Sequence, residues 1–387
     1  MLKKAIRTFS DMDKVLFFTS LILIIFGSLN IVTASSREAV VNADANMFYF
    51  FFKHMIILTI SLIAFIIVIK IPTKDYRKWL PLIYIAVFGL NLFLILKGVA
   101  TRGANNWINL GFMKIQPSEL AKPTLILAMG LMFEMYFKKL RDEREKHDIV
   151  IWKIIGFGLI FPILVFLQKD LGTAIILFGV FAVLFIFSPI SRSEKLKASL
   201  ISIGILAILL IVRLSISGYI LSSAQTSRLN NFFNPCSKYE DTGYQVCNAF
   251  IAINNGGLTG VGIGKSTQKY SYIPEPHTDM VFAIIAEENG VIVCGLIFIA
   301  YLIIIYRLLK LSMRTKKLKN KYICLGVATY FFLHILINLG GLFGIIPLTG
   351  VPLPFLSYGG SFTLSLIMTM AVIQRIHIEM KNEKIRV

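Results

Sequence analysis

Ten stretches of this chain stay apolar for roughly 17 to 25 residues, long enough to cross about 30 Å of hydrocarbon. They lie near 15–34, 50–69, 79–97, 117–137, 149–167, 170–188, 199–221, 280–306, 322–345 and 355–377. With 56% hydrophobic residues, the chain is too apolar for a soluble globular domain. The pattern predicts an all-α integral membrane protein of about ten transmembrane helices, in one polytopic domain over 1–387. The first run follows Lys3, Lys4, Arg7 and Lys14 but is too long for a cleaved signal peptide, so it reads as a retained helix.

The charges orient these spans. Assigning alternate connections to alternate sides puts about 27 of the 40 Lys and Arg with the N-terminus and about 10 opposite, leaving Lys122, Lys153 and Arg213 within helices. That bias predicts a multi-pass membrane protein with both termini in the cytoplasm. The net charge of +19 is then a matter of topology, and nucleic acid is not an expected partner.

One connection is long. Residues 222–279 form a large loop between the seventh and eighth spans, on the predicted extracytoplasmic side, and carry too many aromatic and apolar residues for disorder. Cys236 and Cys247, eleven positions apart in this loop, fit either a disulfide or two free thiols. The loop's "GGLTGVGIGKST" (256–267) lacks the glycine at 259 that a Walker A sequence requires, having Thr259 there. Its glycines suit either a tight backbone approach to an anionic headgroup or a flexible connection.

Four further patterns carry chemistry. "QPSELAK" sets Glu119 and Lys122 three apart on one helical face, which fits a structural ion pair or a functional one. "QKDLGTA" offers Asp170 at a helix start, where a carboxylate is favoured by the dipole. "PHTDM" sets Asp279 just before a helix, either as its cap or as a general base, with Glu275 and His277 crowded beside it and Glu287 and Glu288 two turns on. "NLGGLFGIIPLTGVPLPFLSYGGS" (338–361) packs Gly and Pro between two spans, so its backbone bends sharply against protein or a cavity.

These segments, in this order and spacing, resemble the SEDS family (shape, elongation, division and sporulation), the FtsW/RodA-like proteins. The resemblance rests on "GANNWINLG", "QPSELAK", "QKDLGTA", "SRLNNFFNP" with "GYQV", "GGLTGVGIGKSTQKYSYIPEPHTDMVFAIIAEE" and "N…G…PLTGVPLPFLSYGGS", the last beginning at Asn338, and covers nearly the whole chain. It implies a peptidoglycan glycosyltransferase that polymerises lipid II at the outer face of the bacterial cytoplasmic membrane, forming β-1,4 glycan by inversion. It also implies a class B penicillin-binding protein as partner, alongside other divisome or elongasome membrane proteins and the nascent glycan.

Asp279 falls on the family's essential aspartate and would be the catalytic base. Arg228, Lys265, Lys269, Glu275, His277 and Thr278 are the expected substrate-binding residues, with Glu119, Lys122, Asp170 and Ser357 supporting them. Leaving-group charge would be met by the basic residues or by a divalent cation, Mg2+ or Mn2+, whose ligands the sequence does not mark. Lys169, Asn106 and Phe362 stand where the family usually has Pro, Arg, and Ser or Thr. The competing expectations are a lipid II flippase, in which Glu119 and Lys122 outweigh Asp279, and a noncatalytic scaffold of the cell-wall synthesis complex.

Overall fold

A computed structural model of the protein describes residues 8–41, 45–97, 99–101, 104–109, 114–141, 147–217, 226, 229, 232–233, 235–236, 242–270, 273 and 275–385. It is an all-α, multi-pass bundle. In chain order the helices are α1 (Lys14–Val41), α2 (Tyr49–Val68), α3 (Tyr76–Lys97), α4 (Pro117–Arg141), α5 (His147–Leu167), α6 (Leu171–Ile186), α7 (Arg192–Ser217), α8 (Thr242–Gly256), α9 (Val281–Arg314), α10 (Leu318–Leu342) and α11 (Gly360–Ile385). Among the described residues eight of these, all but α6, α7 and α8, are long and apolar enough to cross a membrane; α6 is apolar but shorter.

The apolar spans bury unequal shares of themselves. About 72% of the apolar windows of α10 and α11 is enclosed, against 17% for α2, so α10 and α11 are the centre and α2 faces lipid. Burial therefore falls on the spans that carry polar residues. His334 and Asn338 of α10 are buried, as are Ser365, Thr369 and Gln374 of α11. This is the distribution a membrane imposes, since a polar side chain is costly against hydrocarbon and is kept inside the bundle.

Three departures from the sequence pattern matter. Between α3 and α4, Val99–Thr101, Ala104–Asn109 and Lys114–Ile115 form a small antiparallel sheet, β1-β2-β3, with Ile108 opposite Ile115. The last span begins at Gly360, and residues 346–357 ahead of it form an irregular segment. The span expected at 280–306 runs to Arg314 and is broken at Gly290, where φ is 76° and ψ 175°.

That break is filled from outside the helix. At a break, the carbonyls before it and the amides after it lose their helical partners, a cost of several kcal/mol each in hydrocarbon unless replaced. The loop following α8 replaces them. Val261 and Gly262 donate their amides to the carbonyls of Glu287 and Glu288 at 2.9 and 3.1 Å, while Val291 and Ile292 donate to the carbonyls of Gly257 and Leu258 at 3.0 and 3.3 Å. The approach is too close for side chains: a Cβ on Gly290 would lie 2.4 Å from the Leu258 carbonyl oxygen, and one on Gly260 2.2 Å from that of Glu288. The glycine-rich stretch is thus neither a phosphate loop nor a flexible connection; it is the hydrogen-bonding complement of a broken helix.

The irregular segment at 346–357 is satisfied in a different way, by side chains. The carbonyl of Val351 accepts from Asn338 Nδ2 (2.7 Å), that of Pro352 lies 3.1 Å from His334 Nδ1, and that of Pro354 accepts from the Tyr301 hydroxyl (2.6 Å). Its protein surroundings are what make such backbone tolerable at depth.

At the N-terminal face of the bundle, Asp13 joins three elements. Its Oδ1 caps α1 at the Leu16 amide (3.1 Å) and its Oδ2 accepts from Arg307 of α9 (2.6 and 2.9 Å). Its backbone N–H and carbonyl pair with the Gln374 amide of α11 at 2.8 and 3.1 Å.

Candidate functional site

Asp279 sits in the turn that leads into α9. The turn is set by Glu275, whose left-handed backbone (φ 46°) lets its carbonyl accept from the Thr278 amide at 3.0 Å. α9 then starts at Val281, with Met280 in the capping position and no side-chain cap. The cap expected of Asp279 is therefore not made, and its carboxylate is left for other use. Oδ1 lies 2.9 Å from the Thr278 hydroxyl, which also lies 2.8 Å from the Glu275 carbonyl, two acceptors for one hydrogen. Oδ2 has no hydrogen-bond partner among the described residues, and the Asp279 residue is half-buried. Across from it stands Gly350, whose added Cβ would lie 3.6 Å from Oδ2.

His277 is a wall and not a free acid or base. It is 2% exposed, its ring packs on Phe50 (4.4 Å between centroids) and Tyr358 (5.2 Å), and its carbonyl accepts from the Tyr358 amide at 2.9 Å. Its Nδ1 lies 3.4 Å from Glu38 Oε2. Burial, with the Tyr49 phenol as a lesser cause, pushes the Tyr358 phenol up to about 12, so it remains a neutral donor at physiological pH. Beside this wall Lys53 donates to the Tyr49 hydroxyl and lies 4.2 Å over its ring. Among the described residues no carboxylate pairs with Lys53, and nothing in its setting inside an apolar run singled it out from sequence.

The basic residues of the loop are distributed otherwise than expected. Lys269 is buried, ion-paired with Glu288 at 2.9 Å and bonded to the Gly264 carbonyl at 2.7 Å. Lys265 is exposed. Arg228 lies outside the described residues. Glu287, expected to crowd Asp279, is instead the anchor of the loop: it accepts from the hydroxyls of Ser266 and Thr267 and from the amides of Thr267 (3.2 Å) and Gln268 (3.3 Å). The carboxylates of Glu287 and Glu288 are therefore consumed in holding 264–269 against α9.

The four supporting residues are all internal ties. Lys122 meets both carboxylate oxygens of Glu119 (2.8 and 2.9 Å) and His334 Nε2 (3.1 Å), all three side chains buried, and His334 passes the connection to the Pro352 carbonyl. Asp170 caps α6 at the Thr173 amide (3.1 Å) and accepts from Asn106 (2.9 Å) and Gln116 (2.8 Å), which ties the small sheet to α6. Asn106, standing where Arg is usual in the family it resembles, is thus a neutral partner for that carboxylate. Ser357 closes a turn, its Oγ accepting from the Leu353 amide at 2.8 Å.

Two residues that contact Asp279 were given no role from sequence, although both lie in the quoted 338–361 stretch. Asn338 joins the Asp279 carbonyl to that of Val351, and Gly350 faces the carboxylate. The available signal for Asn338 was an amide within an otherwise apolar run. Finally, Cys236 and Cys247 form a disulfide, with Cα atoms 5.2 Å apart, that ties residues ahead of α8 to α8 itself.

The sequence profile of the cell cycle protein family shared by FtsW, RodA and SpoVE matches residues 13–382. The chain belongs to this family. Among SEDS relatives it is 31% identical to the probable peptidoglycan glycosyltransferase FtsW of Wigglesworthia glossinidia brevipalpis, over 99% of this chain and 97% of that one. It is 28% identical to the stage V sporulation protein E of Bacillus subtilis, over 93% and 95%. The fold matches that of a chain from a peptidoglycan synthase complex that coordinates polymerisation and crosslinking, with a TM-score of 0.71 at 22% identity, covering 95% of this chain and 98% of that one. It matches the rod shape determining protein RodA of Thermus thermophilus with a TM-score of 0.65, also at 22% identity, over 95% and 96%. A SEDS fold is thus established over nearly the whole chain.

Proposed function

We propose that this SEDS protein is a peptidoglycan glycosyltransferase that polymerises lipid II, with Asp279 as its base. The observation that carries the assignment is a carboxylate at a helix start that makes no cap, keeps one oxygen unpartnered among the described residues, and is only half-buried. Other acidic side chains brought forward from sequence are fastened or enclosed: Glu119, Asp170 and Glu287 are tied by bonds to named partners, and Glu288, ion-paired with Lys269 through one oxygen, is fully buried.

In the reaction, Asp279 removes the proton of the acceptor sugar's 4-hydroxyl as that oxygen attacks the donor's anomeric carbon. The new glycosidic C–O bond forms while the anomeric C–O bond to the pyrophosphate breaks, and the lipid pyrophosphate leaves with the electron pair. The displacement turns an α-linked donor into a β-linked product in one step. The Thr278 hydroxyl orients Oδ1, and His277 with Tyr358 forms the fixed wall behind it. Charge developing on the pyrophosphate calls for a cation, and Lys53, unpaired with any described carboxylate, is better disposed for this than the neutralised Lys269. Mg2+ or Mn2+ would have to be held largely by the pyrophosphate with one protein carboxylate, because among the described residues no three His, Cys, Asp or Glu side chains converge.

The chain is multi-pass, and we place both termini in the cytoplasm from the Lys and Arg asymmetry. The Cys236–Cys247 disulfide supports the same orientation, since it requires the loop to lie in an oxidising compartment. A class B penicillin-binding protein is the proposed crosslinking partner.

Reconstituted with lipid II and no other polymerase, wild type is expected to make glycan and folded Asp279→Asn almost none. Translocation of lipid II without glycan from wild type would instead favour the flippase.

A further inference from the structure

Asn338 lies in the buried centre of the bundle, 3% exposed, on the most enclosed pair of helices. Its two amide hydrogens go to two different backbone carbonyls, those of Asp279 and Val351, each at 2.7 Å. The orientation of the amide is fixed by this environment, because a flipped side chain would set its own oxygen against two carbonyl oxygens. One side chain therefore fastens the turn that carries Asp279 to the irregular segment that carries Gly350. Neither of those backbones is held by helical hydrogen bonds at that point. Asp279 precedes the first residue of α9, and Val351 belongs to a stretch without regular structure.

Gly350 is the other half of the arrangement. It is exposed, its φ is +77°, and the space that a side chain would occupy lies 3.6 Å from Asp279 Oδ2. The bare backbone leaves that oxygen open on the side facing the segment. A displacement of even about 1 Å between the two backbones would change the width of this opening, and misplacements of that size are enough to cost about a hundredfold in rate.

We propose that Asn338 is a positioning residue for the Asp279 carboxylate: it locks the Asp279 turn to the 349–351 segment and thereby sets the gap, kept clear by Gly350, through which the acceptor hydroxyl reaches Oδ2. The inference rests on the glycosyltransferase reading above.

The test uses the full chain reconstituted in membranes with purified lipid II, comparing wild type, Asn338→Asp, Asn338→Ala and Gly350→Asn. Asn338→Asp preserves shape and removes the amide donors. Gly350→Asn suits a left-handed backbone and puts a side chain at the gap. For both Asn338 variants the expected result, per folded molecule, is a fall in kcat of tenfold or more with KM for lipid II within about twofold of wild type. Gly350→Asn is expected to raise KM by at least fivefold while the thermal midpoint stays near that of wild type.

Asn338 variants with wild-type kcat per folded molecule would overturn the proposal. So would losses of activity that only track the loss of folded protein. A wild type that makes no glycan would instead strike at the glycosyltransferase reading, so the two failures are distinguishable.

Discussion

Asp279 and the pair Glu287–Glu288 lie within ten residues of one another on the path into and along α9, and sequence alone would group them. Their surroundings separate them. Glu287 collects hydrogen bonds from Ser266, Thr267 and Gln268, and Glu288 is ion-paired through Oε1 with Lys269, and both are buried where no substrate reaches them. Asp279 has a hydroxyl on one oxygen, while the other has no hydrogen-bond partner among the described residues and faces the bare backbone of Gly350. Acidic residues near a helix start thus divide into those whose charge is consumed by the fold and one whose charge is left over. Reactivity is expected of the latter, because a carboxylate can take a proton only through an oxygen a substrate can reach.

Substitutions can break or sharpen that contrast. The largest effect is expected from Asp279→Asn, a loss of about 100- to 10,000-fold in glycan formation with the thermal midpoint of the purified protein close to wild type. Were the midpoint to fall sharply instead, Asp279 would belong with the structural carboxylates.

Glu288→Gln should behave in the opposite sense. Removing one partner of a buried pair leaves the Lys269 ammonium uncompensated, at a cost of about 3–5 kcal/mol. It is expected to appear as lower yield and an earlier thermal transition, with turnover per folded molecule largely retained.

Smaller effects are expected elsewhere. Cys236→Ser releases the tie to α8 and should cost about 2–3 kcal/mol through the freed unfolded loop. Wild type treated with reductant should show the same shift and the Cys236→Ser protein none. Asp170→Asn keeps an oxygen to cap α6 but sets an amide against the Asn106 and Gln116 amide donors, and should cost about 1–2 kcal/mol. If it abolished polymerisation without such a shift, Asp170 would join Asp279 on the reactive side.

Much of the fold was legible because hydropathy reports transfer into lipid, and each of the ten apolar runs corresponds to a helix over most of its length. The Glu119–Lys122 contact was legible too, since spacing of three within a helix fixes proximity. What hydropathy could not convey is where hydrogen bonds go. Glu287, Glu288 and the Asn289-Gly290 dipeptide, a turn signal, do mark the break in the run, but the apolar stretches 281–286 and 291–300 around them outweigh it. The complement of that break lies about thirty residues earlier in the chain, and no local pattern connects the two. Lys269 was expected to face substrate because its partner Glu288, nineteen positions on, is adjacent only in the fold. Asn338 heads a quoted motif but was given no role, because its acceptors are backbone carbonyls, which carry no sequence signature.

The order of the broken helix and its complement along the chain bears on how the protein is made. Synthesis proceeds from the N-terminus, so residues 257–262 emerge before Gly290 does. When α9 reaches the bilayer with a gap in its hydrogen-bond ladder, the backbone that closes the gap has already left the ribosome and is tethered a short distance upstream. Reversing the two in a circularly permuted gene would deliver the gap first, and biogenesis, more than the finished fold, is where that difference would be felt.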